Sequence, residues 1–224
     1  MAGSILVVDV GGSNVKALLS GETEKRKFPS GPQLTAREMV DGALRLAEGW
    51  PFDRVSVGMP MPVHDGKPVA EPVNLGTGWV GFDYEGAFGA PTRVINDAAM
   101  QAIGSYQGGR MLFLGLGTGL GSTLIADGVV EPLELGHLPY KKRTYEEYVS
   151  ERALKKVGKK KWRREVFETV AELSAALEPE YIVIGGGGAD DLDELPPKCR
   201  RGDNENAFVG GFRLWDPQWE GHLG

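Results

Sequence analysis

Three glycine-rich turns and a few acidic residues are the parts of this chain whose types and spacing could do chemistry. The turns lie at residues 11–14, 117–119 and 185–188, and each follows a short apolar run. In α/β proteins ligands bind at the ends of strands, and backbone N–H groups in such turns can hold a polyanion. Each turn taken alone is equally consistent with a simple hairpin or a flexible loop.

Asp9 sets the first of these turns apart. It ends an apolar run immediately before the glycines, and burying an unpaired carboxylate is costly. Asp9 is therefore expected to meet water, a metal ion or a hydrogen-bond donor.

The pair Asn96–Asp97 lies at a predicted junction between a strand and a helix. Either residue is a good helix N-cap, and a carboxylate at this place could equally serve as a general base. The residue types alone leave both interpretations open.

An acid and an imidazole stand three residues apart in the motif Glu134-Leu-Gly-His137. They could simply be a surface acid and a packed histidine. Glu146 lies in the first turn of another predicted helix, where the helix dipole favours any acid.

Apolar spacing predicts the elements that must position these residues. Strands are predicted at residues 5–10, 15–19, 54–59, 92–95, 111–116, 120–126 and 181–184. Helices are predicted from residue 35, at 97–106, along the apolar face 162–173 and from about residue 206. Thr35 with Glu38, and Thr144 with Glu147, have the spacing of a capping box. Residues 60–89 are predicted to form a long functional loop.

The pattern of apolar run, glycine turn and apolar run occurs twice. LVVDVGGSNVKALL and LFLGLGTGLGSTLI align without gaps at an offset of 106 residues. This weak internal repeat predicts two lobes that open with the same hairpin.

Composition and charge limit the class of protein. The 224 residues are 41% hydrophobic and 25% charged, as in a globular chain long enough to bury a core. A net charge of −6 argues against nucleic acid as a partner. The single cysteine, Cys199, excludes an intrachain disulfide and is typical of cytoplasmic proteins. The sequence has neither a signal-peptide pattern nor a long apolar run, so no membrane partner is expected.

The basic residues are unevenly placed. Residues 141–164, the basic segment, hold eleven of the 25 Lys and Arg and only three acids, a net charge of +8. A charge run is usually a solvated helix face, but this one could also hold an extended polyanion.

In their order along the chain, these motifs resemble those of the ROK group of sugar kinases, which have the actin-like ATPase fold. The matching segments are DVGGSNVK and LGTGLGSTLIADG (phosphate loops), NDA at 96–98 (base motif), ELGH at 134–137 (sugar motif), IVIGGGG at 182–188 (adenosine loop) and GDNENAFVGG at 202–211 (final helix). The resemblance spans about residues 5–211. Within the group the chain looks most like polyphosphate glucokinases, because Lys16 follows the first turn and the cysteine zinc motif common after His137 is absent.

The resemblance implies an α/β, actin-like ATPase (RNase H-like) fold of two lobes with a ligand cleft between them. The N-terminal lobe would comprise residues 1–107 joined by the C-terminal helix 206–216, and the C-terminal lobe residues 108–205. The implied activity is transfer of a phosphoryl group from polyphosphate or ATP to the 6-hydroxyl of glucose or a related hexose. It would use Mg²⁺ and no zinc, and a homodimer is left open.

The same resemblance assigns roles to individual residues. Asp97 would be the catalytic base, and Asp9 would orient Mg²⁺ through water. The sugar would be bound by Asn74, Asn96, Glu134, His137 and Glu146. The phosphoryl donor would be held by Gly11, Gly12, Ser13, Lys16, Gly117, Thr118, Gly119, Gly185, Gly186 and Gly187.

Two departures from the family pattern keep an alternative open. Met61 stands where the family usually has a glycine near the sugar. The segment 188–202 is much shorter than the family's, so a strand and a helix around the nucleotide are expected to be missing. The alternative is a catalytically weak or inactive sugar-binding or regulatory protein.

Overall fold

The structure is a computed structural model that describes residues 3–219 and 221–223. Its strands are β1 (Ile5–Val10), β2 (Asn14–Leu19), β3 (Arg26–Pro29), β4 (Arg54–Met59), β5 (Val63–His64), β6 (Lys67–Pro68), β7 (Thr92–Asn96), β8 (Arg110–Leu116), β9 (Leu120–Ala126), β10 (Val129–Leu133), β11 (Pro139–Tyr140), β12 (Arg143–Thr144), β13 (Tyr181–Gly185), β14 (Cys199–Arg201) and β15 (His222–Leu223). Its α-helices are α1 (Ala36–Leu46), α2 (Tyr84–Phe88), α3 (Asp97–Ser105), α4 (Glu146–Val149), α5 (Glu151–Val157), α6 (Lys159–Leu177) and α7 (Asn206–Arg213). Short 3-10 helices lie at Leu135–His137 and Gly187–Asp191.

These elements form two compact units. The first contains the described residues up to Met100 together with Ala207–Trp219. The second contains Gln101–Asn206 together with the described residues after Trp219. Each unit is built around its own sheet. The lobe boundary after residue 107 stays a prediction.

The sheet of the first unit has the strand order β3-β2-β1-β4-β7. Strands β1, β4 and β7 are parallel, and β2 and β3 are antiparallel to their neighbours. Parallel strands end at one edge of a sheet, so β1 brings Asp9 and β7 brings Asn96 to the same edge. The strand β4 between them supplies Gly58 and Met59 as their ladder neighbours.

Helix α1 covers this sheet and begins with the predicted capping box. The Thr35 N–H donates to the Glu38 carboxylate at 2.9 Å, and the Glu38 N–H donates to the Thr35 hydroxyl at 3.3 Å. Met39, Val40 and Ala43 on its inner face are fully buried. The helical spacing in the sequence is therefore confirmed as a core-facing stripe.

The sheet of the second unit repeats the strand order of the first. It runs β14-β13-β8-β9-β10-β15, so its first five strands in chain order have the same arrangement as β3-β2-β1-β4-β7. Strands β8, β13 and β14 are parallel, and β9 is antiparallel to β8. The internal repeat predicted from the two glycine-turn segments thus extends to the topology of both sheets.

The two opening hairpins differ in register although their sequences align without a gap. Val10 pairs with Val15, which leaves a four-residue turn, whereas Leu116 pairs with Leu120, which leaves a three-residue turn. Each turn is closed by one backbone hydrogen bond, from Gly11 N–H to Asn14 O at 3.0 Å and from Gly117 N–H to Gly119 O at 3.1 Å. The gapless alignment therefore does not carry over to equivalent cross-strand pairs.

Helix α6 packs on the second sheet through the predicted apolar face. Trp162, Val166, Val170 and Leu173 are buried there, in one cluster with the inward side chains of β8 and β13. Its outward face is charged, and no helix in the described part of the chain is apolar over the length needed to cross a membrane.

Residues 60–89 are more structured than predicted. Strands β5 and β6 form a hairpin whose turn residues Asp65 and Gly66 adopt left-handed φ values of 48° and 70°, and Asp-Gly is a strong signal for such turns. The Glu71 carboxylate accepts the backbone N–H groups of Trp79 at 3.1 Å and Val80 at 3.3 Å. Trp79 is fully buried and fixes the loop to the core of the first unit.

The short segment 188–202 keeps more regular structure than its length suggested. It holds a 3-10 helix and the strand β14, which pairs in parallel with β13. The expectation of a missing strand is therefore wrong for this sheet, which retains five strands in the common order. A 3-10 helix occupies the connection between β13 and β14.

A buried serine offers a test of how α7 is fixed to the first sheet. The Ser56 hydroxyl on β4 is fully buried, donates to Gly211 O at 2.6 Å and accepts the Trp215 indole N–H at 2.9 Å. We expect Ser56→Ala to lower the free energy of unfolding by about 1–3 kcal/mol, because two partners lose their hydrogen bond. Chemical denaturation measures the change. Ser174→Ala on α6 serves as the control, since alanine is favoured within helices, and equal stability of both variants would contradict this account.

Candidate functional site

Asn96 and Asp97 make different hydrogen bonds at the start of α3. The Asn96 side-chain oxygen accepts the Ala99 N–H at 3.1 Å, which makes Asn96 the N-cap of α3. Its amide group donates to Met61 O at 3.2 Å. The Asp97 carboxylate accepts the Ala98 N–H at 2.8 Å and is partly exposed. The capping function therefore lies with Asn96.

Met61 contributes to this place through its backbone. Its carbonyl receives the Asn96 amide, while its side chain is 3% exposed and packs in the core of the first unit. Its backbone does not adopt a left-handed φ, so this position does not require a glycine. The departure from the family pattern at Met61 is thus accommodated by packing.

The first glycine turn, residues 11–14, is fixed from outside by Ser30. The Ser30 hydroxyl donates to Gly11 O at 2.6 Å, and its N–H donates to Ser13 O at 3.0 Å. Gly12 and Ser13 at the tip are exposed. The turn thus has a fixed base and an accessible tip.

Asp9 and Lys16 lie directly opposite each other on β1 and β2, just below this turn. The Lys16 ammonium is 3.4 Å from the Asp9 carboxylate, and their side chains are 35% and 12% exposed. Lys16 is therefore one hydrogen-bond donor of the kind that the sequence predicts for Asp9. The pair places one anion and one cation beside the turn, suited to a metal ion and a phosphate respectively.

The second glycine turn, residues 117–119, is held by Glu146. The Leu120 N–H donates to the Glu146 carboxylate at 3.2 Å. A side chain at residue 119 would collide with that carboxylate, so only glycine allows this close approach. Glu151 N–H also donates to Gly117 O at 2.8 Å. A predicted sugar residue and a predicted phosphate turn are therefore in direct contact.

Glu134, His137 and Glu146 form a group in the second unit. The His137 Nδ1 lies 3.7 Å from the Glu134 carboxylate, whose side chain is 52% exposed. Partial burial raises the pKa of Glu134, the charge of His137 lowers it, and the charge of Glu146 raises it. The structure thus brings together three of the five predicted sugar-binding residues.

The third glycine turn, residues 185–188, lies against the second. Gly186 has a φ of +77°, and a side chain there would collide with the carbonyl of Leu116, directly before the second turn. The chain after it is fixed by Arg201, which donates to Ala189 O and Leu192 O, and by Arg163, which donates to Asp191 O at 2.6 Å. These contacts fix the connection between β13 and β14.

Asn74 stands apart from the other predicted residues. It lies in an exposed turn beside Val73, which is 91% exposed. No side-chain hydrogen bond of Asn74 is found within residues 3–219 and 221–223. Its assignment to the sugar stays a prediction.

The sequence predicts only some of the contacts that hold Glu146 in place. Thr144 and Glu147 make the predicted capping bonds, with the Thr144 N–H 3.2 Å from the Glu147 carboxylate and the Glu147 N–H 3.5 Å from the Thr144 hydroxyl. Lys141 and Tyr145, which contact α6, gave no motif signal. The basic charge of Lys141 was visible only as part of a charge run.

Side chains that could bind a metal ion are scattered in the described residues and do not cluster. No group of three or more His, Cys, Asp or Glu is placed there to hold a metal ion. Cys199 lies on β14, and burial raises the pKa of its thiol to about 12.

Comparison with known proteins identifies what the chain is similar to. It is 27% identical over 223 residues to the polyphosphate glucokinase of Mycobacterium tuberculosis (strain ATCC 25177 / H37Ra), a match that covers 85% of this chain and 80% of that protein. No family model matches the chain.

Two solved structures are similar throughout. An inorganic polyphosphate/ATP-glucomannokinase from Arthrobacter sp. strain KM has a TM-score of 0.83 at 22% identity, covering 95% of this chain and 98% of that chain. A ROK family glucokinase from Streptomyces griseus, solved with glucose and AMPPNP, has a TM-score of 0.71 at 20% identity, covering 99% of this chain and 93% of that chain. The predicted α/β, actin-like ATPase fold and the resemblance to ROK sugar kinases near polyphosphate glucokinase are confirmed.

The electrostatic coupling within the Glu134 group can be tested by titration. We expect Glu146→Gln to lower the pKa of Glu134, because a like charge is removed, and His137→Gln to raise it, because a cation is removed. Carbon-13 NMR of labelled glutamate carboxyl groups reads the titration directly. Shifts of the same sign in both variants, or none, would show that the three side chains do not interact.

Proposed function

We propose that this protein is a sugar kinase that transfers a phosphoryl group from polyphosphate or ATP to the 6-hydroxyl of glucose or a related hexose. The observation that carries the proposal is the contact between Glu146 and the second glycine turn. It joins a group suited to sugar hydroxyls to a turn suited to phosphates. The names of the similar proteins support the same reaction. The single cysteine favours a cytoplasmic location.

Asp97 is the proposed catalytic base. In phosphoryl transfer the protein mainly positions the reactants and stabilises charge, and an aspartate accepts the proton of the attacking hydroxyl. Since Asn96 caps α3, the Asp97 carboxylate is not required for the cap. Its bond to Ala98 N–H at 2.8 Å orients the carboxylate through its own helix turn.

The hexose is bound by carboxylate, imidazole and amide groups. Ionised Glu134 and Glu146 accept hydrogen bonds from sugar hydroxyls, and His137 can donate or accept. Asn96 and Asn74 of the first unit are likewise assigned to hexose binding through their amide groups. Burial and the charge of Glu146 raise the pKa of Glu134. As the pH falls, its carboxylate is therefore protonated, and stops accepting hydrogen bonds through both oxygens, at a higher pH than an ordinary glutamate.

The donor phosphates bind to the glycine turns. Gly11, Gly12 and Ser13 supply N–H groups at the exposed first turn, and Gly117, Thr118 and Gly119 supply them at the second. Lys16 adds positive charge. The third turn, Gly185, Gly186 and Gly187, holds the rest of a nucleotide when ATP is the donor.

Asp9 fits a role toward Mg²⁺. A single protein carboxylate is enough for this ion, which keeps several waters and otherwise binds substrate phosphates. Mg²⁺ supplies neutralisation of the phosphate charge during transfer. Asp9 would hold a water of the ion, and its partner Lys16 would turn to a phosphate oxygen as the donor binds. Zinc has no part in this proposal.

The basic segment supports polyphosphate as a donor through only some of its residues. Lys141, Arg143, Lys155, Lys159, Arg163 and Arg164 are in ion pairs with acids. Lys142, Arg152, Lys156, Lys160 and Lys161 are exposed and make no ion pair with any described residue. These five are the bases available to a long polyanion, whereas ATP ends at the glycine turns.

Replacement of the base tests the reaction. We expect Asp97→Asn to lower kcat by about 10²–10⁴, the usual contribution of a general base, while hexose affinity measured by calorimetry stays within about twofold. The fold is kept because Asn96 supplies the cap. Activity is read in a coupled assay of the sugar phosphate with ATP and with polyphosphate.

Asp41→Asn is the matched control for this variant. Asp41 pairs with Arg37 at 3.2 Å on the exposed face of α1, and such surface pairs contribute little. Turnover of Asp97→Asn equal to that of Asp41→Asn would remove Asp97 from the mechanism. A wild-type protein that binds hexose without turnover on either donor would favour the sugar-binding or regulatory alternative.

The donor proposal predicts an effect of two exposed lysines. We expect Lys160→Gln with Lys161→Gln to raise the KM for polyphosphate and leave the KM for ATP unchanged. Each lost phosphate contact should reduce the slope of log KM against log salt by about 0.7, as for a single-stranded polyanion. Kinetics with both donors at several salt concentrations provide the measurement.

Two arginines of α1 provide the charge-matched control. Arg37→Gln with Arg45→Gln removes the same charge from exposed positions of the first unit. If both double variants change polyphosphate KM alike, the effect comes from net charge alone and the bases of the segment form only a solvated face.

A further inference from the structure

Glu146 lies on a helix that is too short to be stable without contacts to other elements. Helix α4 is a single turn, Glu146–Val149, and one turn of helix is not stable alone. Its two flanks are fixed by α6. At the start, the Tyr145 hydroxyl donates to the Glu172 carboxylate at 2.8 Å, and at the end the Trp162 indole N–H donates to Val149 O at 2.8 Å.

The β11–β12 hairpin directly before α4 is fixed to the same helix by Lys141. Lys141 stands at the hairpin tip with a left-handed φ of 53°. Its ammonium is 2.5 Å from the Glu165 carboxylate and 2.6 Å from the Glu168 carboxylate. The Glu165 side chain is only 6% exposed. Such a buried carboxylate needs a cation, because removing one partner of a buried pair is strongly destabilising.

Three tyrosines connect this hairpin to the start of α4. The rings of Tyr140 and Tyr145 stack at 4.5 Å with an interplanar angle of 16°, and Tyr148 meets Tyr140 edge-on at 5.3 Å. The Lys141 ammonium lies 4.7 Å from the centre of the Tyr140 ring. Tyr145 immediately precedes Glu146, so any shift of the hairpin is passed directly to that residue.

We propose that Lys141 is a positioning residue for Glu146, which it holds against Leu120 N–H by binding Glu165 and Glu168 of α6. The inference rests on the proposed role of Glu146 toward the sugar. No substrate contact is assigned to Lys141. Together with Arg164, which lies 3.8 Å from the Glu165 carboxylate and 3.6 Å from the Glu168 carboxylate, it neutralises two neighbouring acids that would otherwise repel each other. Tyr140 and Tyr145 carry the position to α4.

The position of Glu146 can be read without turnover. Its carboxylate accepts the Leu120 N–H at 3.2 Å, so the exchange rate of the Leu120 amide reports whether Glu146 is in place. We expect Lys141→Met, which keeps the aliphatic stem, to raise that rate about tenfold, toward the value in Glu146→Gln. The hexose KM should rise by about tenfold, corresponding to one lost charged hydrogen bond. The kcat should stay within about twofold of wild type, since Asp97 is untouched.

Two further variants make the test specific. Lys155→Met is the matched control, because Lys155 pairs with Glu151 at 2.6 Å on α5 and its side chain is 73% exposed. It should change neither readout. Tyr145→Phe removes only the hydroxyl bond to Glu172 and should change Leu120 exchange in the same direction as Lys141→Met. If Lys141→Met does not fold, Lys141→Gln, which removes the charge but keeps a hydrogen-bond donor, decides by the same measurement.

Unchanged Leu120 exchange and unchanged hexose KM in folded Lys141→Met would overturn the proposal, even if the variant melts at a lower temperature. Equal effects of Lys155→Met and Lys141→Met would also overturn it. Failure of the proposed function looks different, because the wild-type protein would then show no turnover while Leu120 exchange still responds to Lys141. The two failures are therefore separable in one set of samples.

Discussion

The hydrogen bond from the Leu120 N–H to the Glu146 carboxylate is the interaction on which the second unit's site depends. A β-hairpin turn leaves backbone N–H groups without strand partners. Here one of them is taken by an acid that arrives from a distant part of the chain, across a glycine that leaves room for it. The turn is thereby fixed, and the acid is held beside Glu134 and close enough to raise the pKa of that residue.

The duplicated topology explains why such turns occur twice. Both sheets place a parallel strand at their centre and follow it with a hairpin, so each unit ends its first strand in a glycine turn at the edge where polar side chains collect. The two copies are nevertheless stabilised differently. Ser30 holds the first turn, whereas Glu146 and Glu151 hold the second. The common fold fixes where a turn lies, and the surrounding residues determine what it can bind.

Periodic signals in the sequence predict the fold well because they report local burial. The Thr35 capping box and the apolar stripe of α6 both correspond to observed elements. The hairpin at Asp65–Gly66 was overlooked although its turn residues are characteristic. The contacts of Lys141 could not be predicted, because they join residues 24 and 27 positions apart in the sequence and depend on where the side chains lie in space. No spacing rule connects residue 141 to residues 165 and 168.

The basic segment shows why net charge along a sequence does not describe a surface. More than half of its cations are neutralised by acids, and those acids lie on the same helix, on its neighbours or on the connection after β13. Helix α6 separates the two signs along its length, with lysines in its first turn and Glu165, Glu168 and Glu172 further on. Its acidic turns bind the hairpin that precedes Glu146, while Lys160 and Lys161 remain exposed. Helix α6 thus holds Glu146, one of the residues assigned to the sugar, and also presents Lys160 and Lys161 to a polyanion, which ties the position of one to the position of the other.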